Sequence, residues 1–588
     1  MTGVNATDPL PEGGRSRSGG PRRIGIQCVA LIALAVVAMG GVAFHRFWLQ
    51  DEIPIIEHYR MIHGSGGLWL PFLKPYWPPP FSPDLYRPLS LVFFTLQWAA
   101  GDGAIQLFHV LNLVLYVLTV TVVWRLARLM LPELGAWAAA ALFAVHPVHV
   151  EAVALSINQS ETLVALLMIS AVGLYVDWRR HPDLRPRAPW AVLALYVVAC
   201  LVKESAVVLP GLLLAAELTI IADPSPFFHR LVRLRPWALG MVLIASAFIG
   251  VRTLVLHGFV GSFLAEGLYG LGWGGRVLTM LGVVPRWTAL MLWPAHLQED
   301  YSPSEIVGTS HWGPDQTIGA LILLVTLVLL VRSWRRRPVA AFGLLWFFVA
   351  IFPVSNVLVP TGIVLAERTL FLPSVGVALA LGAVAAPIAA WLTTGAGLLA
   401  RRAIPVAVAV VLGLGLGRSI DRMRVWHDPR ALWGESMLDA PRSFRVNEAF
   451  AYLMQRIGRN DRFVHYMREA IAFAGRSARL NGNLGDWYRN RNDCDSALPL
   501  YAESIRIDPD NEVTRASALA CLLARGRYRQ ALGIATVGRA YMPDSRVLAR
   551  FQVLSESLAV ADPARRGVKL TIDSLAPALL VITGPDHR

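Results

Sequence analysis

Acids, bases and cations in this chain of 588 residues recur inside or just beyond long apolar runs. Asp51 and Glu52 follow the first run; His146, His149 and Glu151 stand in FAVHPVHVEAVA, Lys203 and Glu204 in LVKES, Asp300 in HLQEDYSP, and Glu367 and Arg368 in AERTLFLPSVG. Ionisable groups at membrane depth are costly unless protein or water satisfies them, and they commonly mark a site. A carboxylate such as Asp51 can take the proton of an acceptor hydroxyl as it attacks an activated sugar. An equally simple reading has Asp51 capping a helix ahead of Pro54, with Glu52 solvated. Lys203, Arg87, Arg286 or Arg368 can hold a phosphate; alternatively Lys203 and Glu204 neutralise each other, and Arg368 bridges Glu367 or reaches lipid headgroups. HPVH lacks the HExxH pattern and a third ligand, so His146 and His149 are expected to hydrogen-bond and shape a cavity without a metal.

These residues need a scaffold, and the composition says which. Hydrophobic residues make up 55% and charged ones 16% of the chain, which points to a polytopic membrane protein. The net charge of +14 lies in short arginine clusters between apolar runs, the pattern that marks the cytoplasmic side rather than a nucleic-acid surface. Three domains are expected: a disordered cytoplasmic tail at 1–24, a transmembrane domain at 25–420, and a soluble domain at 421–588.

Tracing basic loops against apolar length predicts about eleven crossings and one re-entrant or interfacial segment at 276–296, interrupted by Pro285 and Arg286. The third crossing, 134–153, ends at His146, His149 and Glu151. On this map Asp51, Glu52, His146, His149, Glu151, Glu161, Lys203, Glu204, Glu299, Asp300, Glu367 and Arg368 share the extracytoplasmic face. The chain is thus expected in the inner or plasma membrane with its soluble part periplasmic or extracellular. Cys28 and Cys200 lie in apolar runs, and Cys494 and Cys521 read as two free buried thiols, or as a disulfide if that part is extracytoplasmic.

The soluble part has a repeat. Leu484, Gly485, Tyr488, Ala497, Tyr501, Ser504 and Pro509 occupy tetratricopeptide positions, with weaker echoes at Gly458 and Ala470 and at Ala531, Gly538 and Pro543. A generic helical bundle is the plainer alternative. Repeat arrays offer a concave surface to a protein partner, so recognition is expected of this part and chemistry of the membrane part.

Taken in order, the landmarks resemble the transmembrane and tetratricopeptide repeat-containing O-mannosyltransferase family and its bacterial relatives among the GT-C glycosyltransferases. They are Asp51-Glu52, YRPL at 86–89, FHVLN at 108–112, HPVHVEAVA at 146–154, KES at 203–205, DYS at 300–302, SN at 355–356, AERTLFLPSVG at 366–376, and the terminal repeats. Glu52 stands where the family commonly has a second aspartate, and Gln159 where an arginine is usual.

The resemblance implies an all-α GT-C-like fold and transfer of a sugar, mannose in many members, from a polyprenyl-phosphate donor to a protein or envelope glycan acceptor, without metal or cofactor. In that scheme Asp51 is the base, and Glu52 orients the acceptor or steadies charge at the anomeric carbon. Lys203, Arg368, Arg87 and Arg286 hold the phosphate, while His146, His149, Glu151, Glu204, Asp300 and Glu367 line the site. A transporter or flippase, or a repeat scaffold without catalysis, is the competing class; the one-sided placement of the polar residues argues against the former.

Overall fold

A computed structural model describes residues 21–561 apart from 65, 80, 82, 83, 259–264, 269, 302–304 and 396. The tail before residue 21, Ser302 of DYS and the segment from 562 onward lie outside the described residues. Every regular element among the described residues is helical.

Seven helices are long and apolar enough to cross a membrane: Arg22–Phe44, Ile105–Met130, Ser156–Arg180, Phe228–Leu256, Pro314–Arg336, Glu367–Ala385 and Arg402–Val425. A bent pair, Glu133–Ala144 with Pro147–Ala154, makes an eighth. The chain is therefore a multi-pass membrane protein, with fewer full-length spans than the eleven expected. The difference lies in apolar runs that form short helices, among them Pro88–Gly101, Ala188–Val202 and Pro338–Val354. Leu321, Leu324 and Val328 of Pro314–Arg336 are about half exposed, which suits a helix facing lipid tails rather than water.

Two departures from the expected trace have local causes. The third crossing breaks because Pro147 disfavours helical geometry at His146, which is extended at φ −74°, ψ 120°; the two halves meet at 50°. Segment 276–296 does the reverse, forming one unbroken helix, Trp273–Leu292, through Pro285. Proline removes the donor for the Leu281 carbonyl. That carbonyl faces Gly319 on the next helix so closely that a Cβ on Gly319 would stand 2.0 Å from it.

Beyond the last span, helices start at Phe444, Ala478, Glu512 and Arg546, each 34 residues after the one before. The first three pair with Asn460–Ala474, Cys494–Ile507 and Tyr528–Tyr541 into hairpins. A side-chain N-cap recurs with the same period: Ser443, Ser477, Asn511 and Ser545 accept from the backbone N–H three residues on. The hairpin at 444–474 is as regular as the others, although sequence matches there were sparse.

Cys494 and Cys521 form a disulfide across the second and third hairpins, in place of the free thiols favoured above, while Cys200 is buried and unbonded. Replacing both cysteines by serine should lower the stability of this region by about 2–4 kcal/mol. Thermal unfolding of the isolated membrane-embedded chain, with and without reductant, checks this. Reductant should shift the parent and leave the serine variant unmoved.

Candidate active site

The first span ends in a loop that turns back at Gln50, whose φ of 48° lies in the left-handed region. That turn sends two neighbouring carboxylates in opposite directions. Asp51 is exposed and Glu52 is buried. Glu52 accepts from Leu49 N at 2.8 Å and from Ser156 N, so it closes its own loop and caps the helical segment that begins at Ser156. Burial pushes its carboxyl up to about 8 against the pull of those amides. Glu52 thus does not reach the solvent-facing side where an acceptor would lie, because both its oxygens are held by backbone.

The Asp51 side chain caps no helix; Glu52 holds the N-cap position of the following turn, Ile53–Glu57, with no side-chain capping bond. Protein surrounding Asp51 raises its pKa, while Arg368, Arg445 and Arg87 pull it back down and Glu151 adds to the rise. Arg87, Glu151 and Arg368 come from three places in the membrane region, and all three bear electrostatically on Asp51.

Each of these partners is itself held. Arg87 Nε donates to Glu204 Oε2 at 2.9 Å, Tyr86 N donates to Glu204 Oε1 at 2.9 Å, and the Arg87 guanidinium lies 5.1 Å from the Tyr76 ring centroid. Arg368 binds Glu151 through its guanidinium and, by its backbone N at 2.7 Å, through the other oxygen. Lys203 pairs with Glu161. The sequence neighbours Lys203 and Glu204 therefore do not neutralise each other, and Arg368 bridges Glu151 rather than Glu367. Burial, with Arg87 and Arg368 nearby, holds the Lys203 ammonium well below its usual pKa.

A second acidic pair closes the far side. Glu299 accepts from Gln50 Nε2, and Asp300 binds Ser443 Oγ at 2.6 Å and Arg445 at 3.6 Å. Burial, then Asp300 and Glu151, push Glu299 up to about 8.

Four expected site residues are engaged elsewhere by hydrogen bonds, Glu367 among them although Glu151 lies within its field. His146 is used on both nitrogens, accepting from Val148 N at 3.3 Å and donating to the Met291 carbonyl at 3.1 Å. His149 is held between Tyr116 Oη at 3.2 Å and Ser374 Oγ at 2.8 Å. These contacts pin the helix break, and no metal-binding group occurs among the described residues. Glu367 accepts from Gln298 N at 2.6 Å and Tyr301 Oη at 3.0 Å, fixing the 297–301 loop. Arg286 is exposed and donates to the Glu305 carbonyl at 3.0 Å, where the helix through Pro285 directs it.

Other landmarks are staples: Asn112 donates to the carbonyls of Ala152, Val153 and Leu155, where the helix Val150–Ala154 ends at an extended Leu155. Gln159, where the family pattern has arginine, exchanges hydrogen bonds with Gln97 and donates to Phe108 O. Glu161 was placed on the common face by the sequence, but its pairing with Lys203 was not read there, and Arg445 was missed. No motif surrounds Arg445; the one available signal was its position two residues after the serine that begins the 34-residue period.

No protein-family model matches the chain. Among curated proteins it is similar to "Protein O-mannosyl-transferase TMTC3" of Mus musculus, 24% identical over 381 residues, covering 59% of this chain and 41% of that protein. It is also similar to "Protein O-mannosyl-transferase TMTC1" of Homo sapiens, 22% identical over 512 residues, covering 78% and 57%. A shorter stretch of 127 residues is 35% identical to "Protein O-mannosyl-transferase Tmtc1" of Drosophila melanogaster, covering 21% and 14%. The chain thus spans from about a seventh to under three fifths of the length of these relatives. Among solved structures, ArnT from Cupriavidus metallidurans bound to undecaprenyl phosphate aligns at a TM-score of 0.41 and 15% identity over 79% of each chain. The chain is a distant homologue of the TMTC protein O-mannosyl-transferases.

Proposed function

We propose that this protein is an integral-membrane glycosyltransferase that moves a sugar, mannose by analogy with its named relatives, from a polyprenyl-phosphate donor to a hydroxyl of a protein or envelope glycan. The observation that carries the reading is an exposed Asp51 carboxylate within the electrostatic reach of Arg87, Arg368 and Arg445, each of them held by an acid of its own. A base and a cationic cradle for a phosphate leaving group are what such a transfer needs.

In the proposed step the acceptor oxygen attacks the anomeric carbon and gives its proton to Asp51. The bond from the anomeric carbon to the phosphate oxygen breaks, and its electron pair leaves with the polyprenyl phosphate. Arg87, Arg368 and Lys203 then face a phosphate gaining charge. Lys203 suits this role because its own ammonium is destabilised by burial beside two arginines, so an arriving phosphate favours its charged form. The 34-residue helical period supports a tetratricopeptide-type array at 444–561 that presents the acceptor.

Supplying the purified chain in nanodiscs with undecaprenyl-phosphate mannose carrying tritium in the sugar, together with envelope protein and glycan fractions, tests the reaction. Acid-stable label in either fraction is the expected result. Absence of transfer from this and other polyprenyl-phosphate sugars, with the protein folded, would overturn it.

The array is proposed to lie on the extracytoplasmic side. One observation supports that: the Cys494–Cys521 disulfide, a bond that persists in oxidising compartments. A reporter active only in the cytoplasm, fused after His427 beyond the last span, should stay silent; strong activity from that fusion would place the array on the wrong side of the membrane for this mechanism.

A further inference from the structure

The carboxyl-terminal helices touch the candidate site, at the N-terminus of Phe444–Arg456. Ser443 Oγ accepts from Val446 N at 3.1 Å and donates to Asp300 Oδ2 at 2.6 Å. The same period places Ser545 at a later helix start, where its hydroxyl donates to Glu512 of the preceding hairpin. Asp300, on the membrane region, therefore stands toward the first repeat as an acid of a preceding repeat stands toward the next. Around this contact Arg445 lies 3.6 Å from Asp300, and Gln298 Nε2 donates to the Asp439 carbonyl at 2.9 Å. The neighbour of Asp300, Glu299, accepts from Gln50, and Gln50 is the left-handed residue that turns the chain toward Asp51. The groups run in one line: Arg445 and Ser443, Asp300, Glu299, Gln50, Asp51.

We propose that Arg445 is a positioning residue of the active site: from the first repeat helix it fixes the 299–300 acidic pair and, through Gln50, the loop that carries Asp51, and it places a third guanidinium in the field of that carboxylate. This rests on the reading of Asp51 as the base. The array is then a structural part of the catalytic site, which differs from a division into recognition beyond the membrane and chemistry within it.

The charged or titratable groups facing Asp51 are Tyr76 and Arg87 from the 76–87 loop, Glu151, Arg368 and Arg445. Removing Arg445 deletes one of three cations opposing two anionic or proton-bearing neighbours, so the proton on Asp51 is held more tightly. Activity that depends on ionised Asp51 should then fall most at low pH and recover as pH rises.

The test uses the full chain in nanodiscs with Arg445→Ala, Arg445→Gln and Arg445→Lys. Hydrogen–deuterium exchange needs no substrate: the Ala and Gln variants should exchange faster in peptides covering 47–57 and 297–301, with Lys close to the parent. With undecaprenyl-phosphate mannose and the accepting fraction, kcat of the Ala and Gln variants should drop about threefold at the acidic end, as the acidic limb moves up by about half a pH unit. Lys, which restores the charge, should return the limb. Unchanged exchange at 47–57 in a folded variant overturns the proposal, as does a loss of rate that is the same at every pH. Gln keeps a polar side chain of intermediate length, so it gives the same reading if the Ala variant does not accumulate. A parent without any transfer activity would count against the function proposed above, and the exchange result would still decide the positioning link.

Discussion

Asp51→Asn should reduce turnover by roughly two to four orders of magnitude while leaving donor affinity nearly unchanged. The substitution keeps the shape of the side chain and removes its affinity for a proton. Nothing structural opposes it, since Asp51 caps no helix and its side chain is exposed. In the parent, the rate should climb with pH through an Asp51 pKa above the ordinary aspartate range, because surrounding protein disfavours its charged form more than the three arginines favour it. The base must be ionised to act, so the acidic limb belongs to the parent and should vanish from whatever residual rate the Asn variant keeps. Transfer assays across pH, with donor binding measured separately, read both effects. Near-parental turnover in Asp51→Asn would remove this residue from the chemistry, and a loss of donor binding alone would move it to the donor pocket.

Arg368→Ala carries the second large effect, and it has two parts that a double variant separates. Glu151 is 1% exposed and holds Arg368 by both the guanidinium and the backbone N–H. Deleting the guanidinium leaves a buried carboxylate without its charge partner, which costs roughly 3–5 kcal/mol. It also removes one cation from the proposed phosphate cradle, worth about tenfold to a hundredfold in donor affinity at the usual strength of a charge-assisted hydrogen bond. Adding Glu151→Gln should recover most of the stability, because a neutral amide tolerates burial better, and should recover none of the donor binding. Thermal unfolding and donor titration of the two variants distinguish the parts. If the double variant binds donor as the parent does, Arg368 serves only to neutralise Glu151.

The residues legible in the sequence were those whose partners are fixed by a short motif or by the side of the membrane. Arg87, Glu151, Lys203, Glu204 and Arg368 were each singled out there, and the structure ties Arg87 to Glu204, Arg368 to Glu151 and Lys203 to Glu161. What the sequence could not show is direction. Asp51 and Glu52 look like a pair, yet one left-handed residue, Gln50, turns one toward solvent and the other into the protein. Lys203 and Glu204 also look like a pair, and each takes a different partner, because extended backbone at Lys203, φ −157°, ψ 140°, separates their side chains.

His146 and His149 are hydrogen-bonding residues, as their HPVH setting suggested, and their partners hold a broken helix against its neighbours. The expected eleven crossings are met by seven or eight full-length spans and several shorter apolar helices. Apolar length alone cannot tell a full crossing from a short helix such as Ala188–Val202. Pro285 was read as an interruption because its effect depends on whether another helix can cover the orphaned carbonyl, and Gly319 lies 34 positions away in sequence.

The disulfide between Cys494 and Cys521 joins the second helix of one hairpin to the first helix of the next. A stack of helical hairpins is elastic along its axis, since each unit touches only its neighbours and the interfaces flex in series. A covalent tie across one interface removes that compliance at the middle of the array. Less of a displacement imposed on the last hairpins is then taken up at the tied junction, and more of it reaches the first hairpin, whose leading residues Ser443 and Arg445 bear on Asp300.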